Sequence, residues 1–184
     1  EDFAPGGRCL AEQQPIDGDS GANWVTRTLA ELRSLPEVQL LPRTTVFGCF
    51  DHGAYGAVER VSDHLATPPP LQPRQRLWRV RARRVVLATG AIERAVVFPG
   101  NDLPGVMLAS AVSTYLHRFG VQCGRRAVVF TNNDSAYATA LALHRAGVAI
   151  GAIVDPRPAA ALAGSGPEQA RALGLTVLAA SVVA

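Results

Sequence analysis

The amino-acid sequence predicts an α/β protein, and three observations predict it. From Arg126 onward, strand-like and helix-like stretches alternate: AVVFTNN, DSAYATALALHRAG, VAIGAIVD, PEQARALG and LTVLAASVV. Such alternation builds a parallel sheet through right-handed crossovers. Upstream, RVVLAT is a continuous apolar run that stops at Gly90, which reads as a strand buried on both faces. Between residues 44 and 82, short stretches rich in β-formers are separated by turn residues, which predicts a small antiparallel β-meander.

Taken in order, EDFAPGGRCL opens as a loop through Pro5, Gly6 and Gly7. Residues 23–35 carry Trp24, Leu29, Leu32 and Leu35, and the later spacing fits one face of a helix that Pro36 ends. VQLL (38–41) and TTVFGCF (44–50) read as short strands, with His52, Gly53 and Gly56 marking a turn. AVERVSD (57–63) alternates as a half-exposed strand does. Four prolines in ATPPPLQP (66–73) make a stiff surface connection. Arg79, Arg81 and Arg83 then alternate with Val80 and Ala82, which is strand spacing with arginines on one face. GVMLASAVSTYLHRFG (105–120) has helical periodicity between bounding glycines.

Composition excludes whole classes of function. The chain has 184 residues and 19.4 kDa, with 48% apolar and 18% charged residues, so a wholly disordered chain is excluded. No apolar run reaches the roughly 18 residues that a membrane helix needs, and no signal-peptide pattern opens the chain. The net charge is +3 and every one of the 18 basic residues is arginine, a balance too mild to argue for nucleic acid. Cys9, Cys49 and Cys123 form no CxxC, which argues against a disulfide scaffold or zinc knuckle and for a reduced, cytoplasmic setting. There is no initiator Met, and the chain is expected to be part of a longer one, cut at both ends.

The chemistry-bearing residues are few. In VVLATGAIERAVVFPG (85–100), small residues close a strand, where a nucleotide can approach the backbone of an open α/β sheet. His52, His64, His117 and His144 lack metal-ligand spacing. Asp134, Ser135 and His144 have no nucleophile elbow beside them, so they are read as structural, with Asp134 capping the helix that begins at Ser135. No catalytic or metal site is expected. The stripe Arg74 to Arg84 holds six arginines in 11 residues and is read as a solvated or subunit-facing strand.

Together these strings resemble flavoproteins with two dinucleotide-binding domains, on the Rossmann-like FAD/NAD(P)-binding fold. The resemblance implies a first domain over residues 1–104, lacking its first strand and glycine-rich loop, and the start of a degenerate second domain over 105–184. It implies that Glu1 or the residue before it is the acid that holds the adenosine ribose, with Asp2 beside it. Gly6 and Gly7 follow as the glycine pair, Arg8 reaches a phosphate, Val46 lies against adenine, and Thr89 and Gly90 form the ATG loop. Cys9 takes the place of a redox cysteine, but its partner position holds Gln14. Thr131-Asn132-Asn133-Asp134-Ser135-Ala136 replaces the second glycine-rich loop, and Asp155 stands near the place of a second ribose-binding acid. With the glycines gone, Asn is expected to keep the turn by tolerating left-handed angles.

LPRTTVFGCFDHGAYGAVERVSDH, PRQRLWRVRARRVVLATGAIERAVVFPGNDLPGVMLASAVSTYL and GRRAVVFTNNDSAYATAL resemble the family of heterotetrameric sarcosine oxidase α subunits over nearly the whole chain. The resemblance implies NAD at the first site, FAD and FMN elsewhere in the complex, and β, γ and δ subunits as partners. It implies an oxidoreductase acting on a small-molecule substrate, sarcosine, with neither nucleic acid nor membrane as partner. Opine oxidase and cyanide synthase subunits share the layout. A non-catalytic assembly scaffold built from degenerate nucleotide folds is the reading from another class.

Overall fold

The computed structural model describes residues 2–184, and Glu1 lies outside the described residues. The chain divides into two compact units: Glu1–Cys9 with Gln13–Gly90, and Leu10–Glu12 with Ala91–Ala184.

In the first unit a short 3-10 turn at Gly7–Leu10 precedes helix α1 (Gly21–Ser34). Ser20 caps α1 by accepting the Asn23 N–H at 3.2 Å. Gly21 is required by close approach, since an added Cβ would fall 2.6 Å from the Cys9 carbonyl oxygen. Three strands then form an antiparallel meander in the order β1 (Thr44–Phe50), β2 (Ala54–Arg60) and β3 (Gln75–Arg81). His52 turns the β1–β2 corner at φ 61°, a left-handed angle that histidine tolerates better than most residues. The β1–β2 ladder slips between Val46 and Gly48, so Val46 opposes Ala57 and Gly48 opposes Gly56. Phe47 is therefore the extra residue of a bulge.

The second unit carries helix α2 (Ala109–Phe119), ended by Gly120 at φ 65°. A parallel sheet follows as β4 (Arg126–Phe130), α3 (Ser135–Arg145), β5 (Ala149–Asp155), α4 (Ser165–Ala172) and β6 (Val177–Ala179). Its core is Tyr137, Ala140 and Leu141 of α3, Ile153 of β5 and Ala170 of α4, with Val129 and Val177 packed against them. Val128 and Leu178, which alternate with these, stay exposed on the other face.

The predicted α/β class stands, with one parallel and one antiparallel sheet. Several expected elements do not. VQLL is not a strand; it leaves a turn in which Val38 N–H donates to Leu35 O, and among the described residues no strand pairs with it. Gly56, expected in a turn, lies inside β2, and the turn is the 3-10 stretch Asp51–Gly53. The 105–120 helix begins only at Ala109, because Leu108 is extended. The expected buried strand at 85–90 is an unpaired, extended segment with Val86 89% and Leu87 83% exposed. A strand exists only by pairing its N–H and C=O groups with a neighbour, and among the described residues none lies alongside.

Candidate functional site

The residues expected at the first nucleotide site fall in the first unit. The Asp2 carbonyl accepts the Arg43 N–H at 2.8 Å. That bond ties the Asp2 segment to the residue preceding β1, three positions before Val46. The Arg43 guanidinium lies over the Phe3 ring, 5.5 Å from its centroid. Asp2, Phe3, Arg43, Arg60 and His64 line a crevice of about 220 Å³. Cations dominate this lining, so its field favours an anion.

Gly6 and Gly7 both have positive φ, 128° and 51°, and Gly6 O accepts the Cys9 N–H. Gly90 sits at φ 70°, and at both Gly7 and Gly90 the Cβ position is open space. An open, left-handed glycine offers its backbone to a ligand without side-chain obstruction. Arg8, Val46 and Thr89 are exposed. The structure thus joins Asp2 to the strand of Val46. No hydrogen bond ties Thr89 or Gly90 to the other candidates among the described residues.

The second unit shows how the glycine-free loop is held. Thr131 Oγ1 donates to Asn133 O at 2.9 Å and accepts the Asn133 N–H at 3.3 Å. None of residues 131–133 has positive φ, so the expected left-handed asparagine is corrected: the threonine hydroxyl closes the turn. The expected capping by Asp134 is corrected too. Its carboxylate accepts from Arg157, and Asn133 Oδ1 takes the Ser135 N–H at 3.0 Å and its hydroxyl at 2.6 Å.

Arg157 is the centre of this unit's electrostatics. Its Nε and Nη2 donate to the Asp155 carboxylate at 2.7–3.2 Å, and Nη2 donates to Asp134 Oδ1 at 2.8 Å. Burial pushes the Asp155 carboxyl up. Hydrogen bonds from the Arg157 side chain and backbone and from Tyr137, with the nearby positive charge, outweigh it and hold Asp155 below the usual carboxylate range. Tyr137 is pushed up to about 12 by burial first, then by the charge of Asp155 and the hydrogen bond to it. Gly164 packs against the Asp134 carboxylate, and a Cβ at Gly166 would fall 2.8 Å from the Tyr137 Cβ. The Asp134 carboxylate at the second strand–helix turn is therefore engaged by the chain's own Arg157.

Sequence reasoning missed Glu93. Its carboxylate accepts the N–H groups of Ala109 at 3.2 Å and Ser110 at 2.7 Å, capping α2 from 16 residues away. Leu108, at the cap position, has no side chain that can do this, and that vacancy in the local pattern was the available signal. Among the described residues no cluster of His, Cys, Asp and Glu could hold a metal, and no helix is long and apolar enough to cross a membrane.

No family model matches the chain. A sarcosine oxidase subunit alpha from Rhizobium meliloti (strain 1021) is 51% identical over 160 residues, covering 87% of this chain and 16% of that protein. Counterparts from Corynebacterium sp. strains P-1 and U-96 are each 42% identical, over 174 and 175 residues. Among solved structures, L-proline dehydrogenase from P. horikoshii superposes with a TM-score of 0.64 at 22% identity, covering 81% of this chain and 28% of that one. That likeness concerns the fold. The chain is a homologue of the sarcosine oxidase α subunits over most of its length, and it spans about one sixth of the length of those relatives.

Proposed function

We propose that residues 1–184 are the NAD-binding part of a sarcosine-oxidase-type α subunit. In this reading the segment supports oxidation of sarcosine to glycine by a larger complex, and it carries no catalytic residue itself. The observation that carries the nucleotide assignment is Gly90 at φ 70° with open space at its Cβ position, directly after Ala88 and Thr89. Backbone so exposed lets a pyrophosphate approach, which a side chain would prevent. Bound NAD would supply a hydride-accepting ring held by a charged diphosphate. Glu1 and Asp2 then offer carboxylates to the ribose hydroxyls, Arg8 offers a charge-assisted bond to phosphate, and the backbone at Val46 borders adenine. In this reading Gly6, Gly7, Thr89 and Gly90 offer backbone to the diphosphate. FAD and FMN belong to other parts of the complex. Residues 1–104 form the working dinucleotide domain and 105–184 the start of a second one that holds no nucleotide.

The test is titration calorimetry of NAD into the complete polypeptide, and into its Gly90→Val variant. One NAD per chain is expected, weakened about tenfold or more by the valine, a loss of about 1.4 kcal/mol. No binding by the complete polypeptide overturns the assignment and favours the second reading, an assembly scaffold of degenerate nucleotide folds. That reading draws on the Arg157 closure of the second turn.

A further inference from the structure

The β-meander presents one face whose construction the nucleotide reading leaves unexplained. Directly opposed residues of antiparallel strands share a face. By the observed register, Phe50, Ala54 and Arg81 share it, as do Gly48, Gly56 and Arg79, and Val58 with Leu77. The bulge adds Phe47 to the same side, where its ring lies on Gly56: a Cβ there would fall 2.6 Å from Phe47 Cζ. The Phe50 ring lies on Gly48 in the same way, again at 2.6 Å. The glycine pair is therefore a trough in which two phenyl rings rest.

Those rings are held, yet they are not covered. Phe47 and Phe50 are each 58% exposed and Leu77 is 63% exposed. Arg79 and Arg81 stand beside them, and no carboxylate pairs with either among the described residues. On the opposite face, by contrast, Arg76 is neutralised by Glu59 at 3.0 Å. Rigid aromatic anchors with adjacent arginines are the composition of protein interface centres. A ring already fixed on the sheet loses little entropy when a partner covers it.

We propose that this face, Phe47, Phe50 and Leu77 with Arg79 and Arg81, is a docking surface for a companion subunit that presents carboxylates around an apolar patch. The proposal rests on the α-subunit reading above. Unpaired positive charge selects an acidic partner, and the matched relatives are themselves named as subunits. The apolar content of Phe47, Phe50 and Leu77 favours protein over nucleic acid, whose phosphates would use the arginines alone.

The test labels arginines with phenylglyoxal in the complete polypeptide, alone and in the complex purified with its companion subunits. Labelling of Arg79 and Arg81 should be rapid in the free polypeptide and slow at least tenfold on assembly. An Arg79→Glu, Arg81→Glu double variant should weaken assembly at least tenfold while NAD binding stays unchanged. Protection already present in the free polypeptide would show that its own further residues cover the face, and labelling unchanged by assembly would show that it stays in water. Protection by a (dT)20 oligonucleotide without any effect of assembly would assign it to nucleic acid. Each of these three overturns the proposal while leaving the α-subunit reading intact. A complete polypeptide that joins no companion subunit overturns both.

Discussion

The hydroxyl of Tyr137 donates to Oδ2 of Asp155 at 3.1 Å, and both side chains are fully buried. Arg157 donates to both oxygens of that carboxylate. Removing one member of a buried charged pair strands the other in a low-dielectric interior. Arg157→Ala should lower stability by about 3 kcal/mol, and Tyr137→Phe by about 1 kcal/mol. Urea unfolding of the complete polypeptide measures both.

The same pair sets two pH limits. The Asp155 carboxyl is held below its ordinary value, so its contribution is present above the unfolded pKa and is lost as pH falls through the folded one. Stability should therefore decline below about pH 4, and Asp155→Asn should flatten that acid limb. Tyr137 is raised to about 12, so stability should fall as pH rises from about 10 through that value. Tyr137→Phe should remove this alkaline limb. Unfolding free energies across pH test each sign.

Glu93 serves α2 as a detached cap. Glu93→Ala leaves the Ala109 and Ser110 N–H groups without their acceptor, and it should cost about 1 kcal/mol. Hydrogen exchange should show the first turn of α2 opening first, with α3 unaffected.

The turn at Thr131 to Ser135 should hold no dinucleotide. Density across Asn132 and Asn133 in a crystal of the complete polypeptide soaked in NAD would refute this. Replacing Thr131, Asn132 and Asn133 with glycine should destabilise by roughly 0.5–1 kcal/mol each. It should not create a site, because Arg157 stays engaged by Asp134 and Asp155 and is not free for a phosphate.

Residues 1–184 alone should release no peroxide from sarcosine above a heat-treated control. The role proposed for this segment is nucleotide binding alone, and the matched relatives are about five times as long. Clear turnover would refute this.

The β4–α3–β5–α4–β6 order was legible in the sequence because each element's partner follows within a few tens of residues. Local periodicity and local packing then agree. Val85 to Thr89 read as a strand for a sound reason, its β-branched continuity, but pairing is a property of two segments and the sequence showed one. Asp134 misled differently: it has the composition of a cap, yet Arg157, 23 residues away, competes for its carboxylate and wins through charge. Gly56 read as a turn because nothing local announces that the Phe47 ring will rest on it. Of the expected nucleotide site, Gly7 and Gly90 were legible as glycines within their motifs, and both take positive φ. The anchoring of Asp2 to Arg43 depended on a contact across 41 positions.

The unpaired run Val85 to Leu87 also has a bearing on handling. A short, uncharged, β-branched segment with open N–H and C=O groups is a template for strand exchange between molecules. Arg83 and Arg84 on one side and Glu93 and Arg94 on the other are the nearest charges, and they act as gatekeepers. In solutions of residues 1–184, Val86→Lys should therefore slow any strand-exchange association, which light scattering against concentration would measure.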